Sequence, residues 1–304
     1  MTKVFIDGSA GTTGLRIHER LSGREGLELI ALPPELRKDA KAREEAINAA
    51  DIAFFCLPDA AAVEAAGLVH GNTRVIDTST AHRTDPAWAY GFAELAGKRA
   101  QIESAQLVAN PGCHASGFIS LVEPLVREGL IAADTALTCF SVTGYSGGGK
   151  AMIADYEAAG RSSELDAPRQ YALGQSHKHL KEMVKICDLT VAPVFCPIVA
   201  DYYSGMCVTV PLFQKDLRGT VEDVVQLYQS CYAGPVVRYA PCPEGMLAGN
   251  ALSGRDDMEI TVAGNAERIL LVSRFDNLGK GASGAAIQNL NLMLGVEETA
   301  GLVL

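Results

Sequence analysis

A two-part α/β fold is what this sequence predicts: a doubly wound parallel sheet first, then an α+β unit built on a mixed sheet. Three features of the 304 residues carry that reading. Short apolar runs alternate with helical runs over the first third. A glycine loop stands between the first strand and the first helix. After residue 112 the strands and their connections both lengthen. Strand–helix alternation imposes parallel pairing through right-handed crossovers, whereas long strands with long connections fit a mixed or antiparallel sheet. At about 150 residues per domain, the length also gives roughly two domains.

In order, residues 4–6 form a short buried strand, followed by the loop Gly8-Ser9-Ala10-Gly11-Thr12-Thr13-Gly14 and a helix to about Leu21. Residues 27–32, 52–57, 74–77 and 106–109 are further strands; 40–50 and 60–69 are helices. The second part opens with a helix over 114–127. Strands are expected at 135–143, 190–199, 204–213 and 269–275, and helices at 151–159, 179–185 and 221–230. Ile287, Leu290 and Leu294 give 282–294 a helical period.

Composition narrows the function. Hydrophobic residues are 48% and charged residues 20%, a globular balance. A net charge of −10 without a basic stripe argues against nucleic-acid binding. No apolar run approaches roughly 18 residues, so no membrane helix is expected. The N-terminus enters a strand directly, which reads as no signal peptide and a cytoplasmic setting. The eight cysteines include no Cys-x-x-Cys pair, and several sit in apolar runs as small buried hydrophobes, so neither a disulfide framework nor a metal site is expected.

Gly8, Gly11 and Gly14 stand where a dinucleotide's pyrophosphate would meet backbone N–H groups and a helix N-terminus. A tight turn packed on the sheet is the plain alternative. The second strand ends at Leu32-Pro33-Pro34 without an acid for a ribose hydroxyl. Glu35 lies beyond the prolines, while Arg37 and Lys38 suit a 2′-phosphate, so the residues lean toward NADP. Gly144-Tyr145-Ser146-Gly147-Gly148-Gly149-Lys150 imitates a P-loop, but Ala151 stands where Ser or Thr should hold magnesium. It reads better as a loop lining a substrate pocket.

Asn110-Pro111-Gly112-Cys113-His114 follows a strand and opens a helix. An ordinary thiol is only about 3% thiolate at pH 7; a helix N-terminus or an imidazolium raises that fraction. Cys113 alone among the cysteines has such a neighbourhood. A buried structural cysteine is the competing reading. His177 and His179 precede a helical run; two apart, they are expected to point differently, one as acid/base and one as substrate contact. His114 is expected to project elsewhere, and His18, His70 and His82 to lie on the surface or in loops. After the fourth strand, Thr78, Ser79 and Thr80 face the expected cofactor crevice and Arg83 could hold an anionic phosphate.

Together these blocks, with Lys280-Gly281-Ala282-Ser283-Gly284-Ala285-Ala286-x-Gln288-Asn289, occur in the order found in N-acetyl-γ-glutamyl-phosphate reductases, whose shorter type the chain resembles over about residues 3–296. The resemblance implies an architecture like glyceraldehyde-3-phosphate dehydrogenase. A dinucleotide-binding domain would span 1–112, completed by the C-terminal helix 282–304. A catalytic, substrate-binding and oligomerisation domain would span 113–281. It implies NADPH as reductant, N-acetyl-glutamyl phosphate as substrate and a place in arginine synthesis. Cys113 matches the family nucleophile and His179 its acid/base. Gly8 through Gly14 with Arg37, Thr78, Ser79 and Asn289 are the expected cofactor contacts. Arg83, Asn110, His177, Tyr145 and Ser146 are the expected substrate or phosphate contacts, with Arg161, Tyr202 and Tyr203 as further candidates. One departure shows: Lys181-Glu182 stands where the family has Pro-Glu. The rivals are a reductase of aspartyl or aminoadipyl phosphate and a non-enzymatic NADP sensor. The charge and apolar strands permit a homodimer or homotetramer.

Overall fold

The computed structural model describes residues 1–9 and 11–304. The chain divides into two compact units: residues 1–93, 97–111 and 285–301 form the first, and 94–96, 112–284 and 302–304 the second.

The first unit runs β1 (Thr2–Asp7), α1 (Thr12–Leu21), β2 (Leu27–Ile30), α2 (Ala40–Ala49), β3 (Ile52–Phe55), α3 (Asp59–Gly67), β4 (Arg74–Asp77), β5 (Ala89–Tyr90), α4 (Lys98–Ser104) and β6 (Leu107–Ala109). These strands form one parallel sheet in the order β2-β1-β3-β4-β6-β5. β3 is buried at every position, as a strand covered on both faces must be. Asp39 caps α2 by accepting the Ala42 N–H at 2.8 Å. The Arg74 guanidinium collects the carbonyls of Ile102, Glu103, Ala105 and Met293, which ties β4 to the end of α4 and to the C-terminal helix.

The second unit contains α5 (Cys113–Arg127), β7 (Thr138–Gly144), α6 (Gly149–Glu157), β8 (Arg169–Gln170), α7 (His179–Ile186), β9 (Val194–Ala200), β10 (Met206–Phe213), α8 (Val221–Cys231), β11 (Val237–Tyr239), β12 (Met258–Gly264) and β13 (Arg268–Phe275). Its sheet is mixed, in the order β11-β12-β13-β10-β7-β9-β8, with β7–β9 and β11–β12 parallel and the other pairs antiparallel. A π-helical turn, Gly279–Ser283, leads into α9 (Gly284–Leu294), which belongs to the first unit from Ala285 on.

α5 carries Pro124 in its interior, where proline cannot donate to the Ser120 carbonyl. The Tyr232 hydroxyl fills that vacancy, donating to Ser120 O at 2.6 Å, and the Tyr228 hydroxyl donates to the neighbouring Leu121 O at 2.5 Å. α8, fixed by a Thr220/Asp223 capping box, brings both tyrosines to that position. The helix that begins at Cys113 therefore continues past a proline on side chains from elsewhere.

The sequence reading passes over β5, α4, β8, β11 and β12. β5 and β8 have two residues each, too few to show a period. β12 does alternate, and its Ile260-Thr261-Val262 centre is a strand signal that the surrounding loop residues dilute.

Candidate active site

In the first unit the expected cofactor residues lie at the carboxyl end of the sheet, where β2 and β3 flank β1 on opposite sides. Open α/β sheets bind ligands at such a switch point. Gly8 has φ +85°, and a Cβ there would collide with the Cys56 carbonyl; one on Gly14 would strike the Gly8 carbonyl. Only glycine lets β1 turn so tightly into α1. Gly11 is the helix N-cap, and among the described residues no side chain caps it and no acid sits in the first turn. The start of α1 thus presents N–H groups and a partial positive charge to an anion. Ser9, Thr12 and Thr13 lie on this loop and first turn; Ala10 lies outside the described residues.

A cavity of about 430 Å³ opens beside the loop, lined by Gly8, Ser9, the end of β2, Glu35, Arg37 and Lys38. No carboxylate ends β2, and two cations line the cavity beyond Glu35. The residues fit a dinucleotide carrying an extra phosphate on its ribose.

The loop after β4 is organised by Asp77. Its buried carboxylate accepts the Ser79 N–H at 2.9 Å and the Ser79 hydroxyl at 2.6 Å, and meets His82 Nδ1 at 2.7 Å. His82, expected on the surface or in a loop, lies in the loop after β4 and is buried there. It serves this carboxylate and stacks on Trp88 with ring centroids 4.1 Å apart. Thr78 donates its hydroxyl to the Phe55 carbonyl at 3.0 Å. Arg83 donates from Nε to the Asn110 carbonyl and from Nη2 to the Thr78 carbonyl, both at 2.9 Å, which fixes the guanidinium plane between the loops after β4 and β6. The Asn289 amide donates to Asn110 Oδ1 and to the Gly91 carbonyl, both at 3.0 Å. Gln288 instead donates to Glu298 at 2.5 Å.

The second unit gathers a cluster around Cys113. The thiol residue opens α5, whose first intrahelical bond runs from the Ser116 N–H to the Gly112 carbonyl at 2.7 Å. Glu182 of α7, buried, accepts the Gly112 N–H at 2.9 Å. His179 and Glu182 are three apart on α7 and share its face, so the bond that anchors α7 to Gly112 also turns His179 toward the start of α5. On the other side, Gly281 is so close that a Cβ on it would lie 2.9 Å from Cys113 Cβ. Asp276 holds this turn, accepting the N–H of Leu278 on its side chain (2.7 Å) and of Gly281 on its carbonyl (3.0 Å). Lys280, 1% exposed on its side chain, pairs with Glu94 at 2.7 Å.

Two expectations about histidines are overturned. His177 and His179 do not diverge: their rings lie 4.7 Å apart. His177 precedes α7, so helical spacing does not govern it, and the His179 N–H donates to His177 Nδ1 at 3.2 Å. His114 does not project elsewhere; its ring is 5.9 Å from His177 and 5.7 Å from His179. His114 lies buried between Ser141 Oγ at Nδ1 and the Tyr171 hydroxyl at Nε2, each at 2.6 Å. Burial, helped by His177, pushes the His114 pKa down to about 3. It is therefore a neutral ring that donates on one nitrogen and accepts on the other. His177 is lowered too, by burial and then by the Lys178 charge, with Glu182 opposing. Burial, with a smaller contribution from Cys113, raises the Tyr171 phenol. α7 starts at His179 without the family's proline.

The remaining candidates form an adjoining aromatic group. Tyr145 stacks on Tyr156 at 4.6 Å and meets Tyr203 edge-on at 5.7 Å. Ser146 is buried and accepts the Asn277 amide at 3.0 Å. Arg161 is committed to Asp166 and Asp201, and Tyr202 contributes its carbonyl to the Tyr145 N–H at 2.9 Å. Tyr171 packs against this group as well. Sequence reasoning missed Tyr171, which follows a two-residue strand too short to give a signal. It gave no role to Glu182, whose spacing from His179 was a usable signal.

A glycine loop at a parallel-sheet switch point in one unit, and a cysteine opening a helix beside two histidines in the other, define a dehydrogenase of the semialdehyde class. Residues 24–105 match the family model for the semialdehyde dehydrogenase NAD binding domain, and 113–277 that for the semialdehyde dehydrogenase dimerisation domain. Among solved structures, aspartate semialdehyde dehydrogenase II from Vibrio cholerae has the same fold. Its TM-score is 0.72 at 17% identity, covering 97% of this chain and 99% of that one. The Candida albicans aspartate semialdehyde dehydrogenase with NADP follows, with TM-score 0.65, 16% identity and coverage of 97% and 99%.

Sequence relatives narrow the class. The N-acetyl-gamma-glutamyl-phosphate reductase of Brucella anthropi is 47% identical over 96% of this chain and 98% of its own length; that of Brucella ovis is 46% identical over 96% and 99%. This chain belongs to the N-acetyl-gamma-glutamyl-phosphate reductase family.

Proposed function

We propose that the protein reduces N-acetyl-L-glutamyl 5-phosphate to N-acetyl-L-glutamate 5-semialdehyde with NADPH, releasing phosphate, as a step of arginine biosynthesis. The observation that carries the reaction type is the cluster at the start of α5: Cys113 on the helix N-terminus, with His179 turned to it by the Glu182–Gly112 bond. The names of full-length relatives at 46–47% identity carry the choice of acyl phosphate.

Cys113 attacks the acyl carbon while His179 takes the thiol proton, and the N–H groups of the first turn of α5 face the oxyanion that forms. The carbon–oxygen bond to phosphate breaks, leaving a thioester on Cys113. Arg83, its plane set by the Asn110 and Thr78 carbonyls, is the contact for a phosphate. When bound at the Gly8–Gly14 loop, with Arg37 and Lys38 on its ribose phosphate, NADPH supplies hydride. The thiohemiacetal on Cys113 then collapses to the aldehyde, and His179 returns the proton to sulfur. His177, with its Nδ1 accepting the His179 N–H, presents Nε2–H as a substrate donor.

The second unit also supports a homodimer. On one face of its sheet Phe140, Val194, Phe213 and Leu270 are each at least 41% exposed. They sit in register through Phe140↔Cys196 and Thr209, and Leu270↔Pro211. A contiguous apolar face of this kind is an association surface. None of the eight cysteines is in a disulfide.

The test is the reverse reaction, followed by absorbance of reduced nicotinamide with NADP⁺, phosphate and either N-acetylglutamate semialdehyde or aspartate semialdehyde. Phosphate-dependent turnover of the acetylated aldehyde alone is expected. Turnover of aspartate semialdehyde instead would keep the chemistry and overturn the substrate.

A further inference from the structure

Two guanidinium groups flank the Tyr156 ring, and only one is neutralised. Arg161 lies 5.8 Å from the ring centroid and is ion-paired with Asp166 and Asp201. Arg169 lies 5.4 Å from the same centroid and donates from Nη2 to the Tyr156 hydroxyl at 3.1 Å. Among the described residues no carboxylate pairs with it, and its Nε is buried without a hydrogen-bond partner. A partly buried guanidinium without a counter-ion is costly unless an anion arrives, and its planar fork suits a carboxylate.

The sheet register says where that anion would sit. Arg169 pairs with Val199 of β9, which pairs with Thr143 of β7. The next row along the same face is Tyr171, whose N–H donates to Pro197, and Pro197 pairs with Ser141. Ser141 and Tyr171 are the two groups that clamp His114, the residue after Cys113. Successive rows on one face are about 6.6 Å apart. In the acylated enzyme the α-carboxylate is four carbon–carbon bonds from the acyl carbon, a span of about 5 Å when extended. Arg169 therefore stands one row beyond the reacting cluster, on the scale of the acyl chain.

Resting on the substrate assignment above, we propose that Arg169 is the specificity residue that receives the α-carboxylate of the N-acetylglutamyl substrate. Binding there supplies the guanidinium's missing counter-ion and selects acyl chains that end in a carboxylate. It leaves the phosphate and cofactor contacts untouched.

The experiment compares wild type with Arg169→Met and Arg169→Lys in the reverse direction. The aldehydes are N-acetylglutamate semialdehyde and 4-acetamidobutanal, the same molecule without its carboxylate. Loss of a charge-assisted pair is expected to raise KM for the semialdehyde about 10- to 100-fold in Arg169→Met, and less in Arg169→Lys. KM for phosphate and for NADP⁺ should stay unchanged, which also shows that the variants are folded. Wild type should prefer the carboxylated aldehyde, and Arg169→Met should lose that preference. A raised phosphate KM, or a preference that survives in an active Arg169→Met, would overturn the role of Arg169 alone. Wild type inactive on N-acetylglutamate semialdehyde would overturn the reaction assignment and this inference with it.

Discussion

The cofactor loop of the first unit and the cysteine cluster of the second are built in opposite ways. The loop is local: Gly8 and Gly14 answer steric demands from the Cys56 carbonyl and from the Gly8 carbonyl, and Gly11 serves as the helix N-cap. The cluster is assembled from afar. Cys113 comes from α5, His177 and His179 from the entry to α7, Tyr171 from the segment just after the edge strand β8, and Gly281 from the π-turn; side-chain hydrogen bonds and packing hold them in place. A site made of backbone fails when one residue gains a Cβ. A site made of side chains fails in graded steps, as each partner is removed.

The largest effect falls on the nucleophile. Cys113→Ser should retain less than about 1% of wild-type turnover, because an unactivated hydroxyl is a poor nucleophile. NADP⁺ binding, followed by fluorescence titration, should be unaffected, since the first unit is intact. His179→Ala should lower kcat by about 10²–10⁴-fold, and His177→Ala should act more on KM than on kcat. Equal kcat losses in the two variants would erase the division of labour assigned to the pair. In the first unit, Gly8→Ala imposes both a left-handed φ and a collision with the Cys56 carbonyl. Such strain costs on the order of 1–3 kcal/mol. It should weaken NADP⁺ binding while leaving the alkylation rate of Cys113 as it was. If Cys113 alkylation slows as well, the two sites are not separable.

The smallest effect is on stability against pH. His114 is neutral when folded, with a pKa near 3, against about 6.5 unfolded. The unfolded chain therefore binds a proton that the folded chain refuses. The stability associated with this group is present above about pH 6.5 and is lost as pH falls toward 3. His114→Gln should flatten the slope of melting temperature against pH between 7 and 4. An unchanged slope would assign the acid sensitivity to other groups.

The same contrast explains what was legible in the residues. The glycine loop, the cysteine at a helix start and the parallel half of the fold were readable because each is a local pattern: a strand, a turn and a helix in succession. The convergence of His114 with His177 and His179 was not, because helical spacing says nothing about a residue that precedes the helix or about rings brought together across a sheet. His82 does lie in a loop, but its burial there was illegible for a related reason. Its burial follows from Asp77 and Trp88, a hydrogen bond and a stack formed only once the loop closes. Arg83 and Asn289 were noticed as types, but the carbonyls and amide that hold them come from three separate segments.

The most direct test of the covalent account omits phosphate. Enzyme mixed with N-acetylglutamate semialdehyde and NADP⁺ alone should give a burst of about one reduced nicotinamide per Cys113 and then stop. The peptide containing Cys113 should carry the acyl group by mass spectrometry, and turnover should resume when phosphate is added. No burst without phosphate, or the same burst from Cys113→Ser, would contradict a thioester on Cys113.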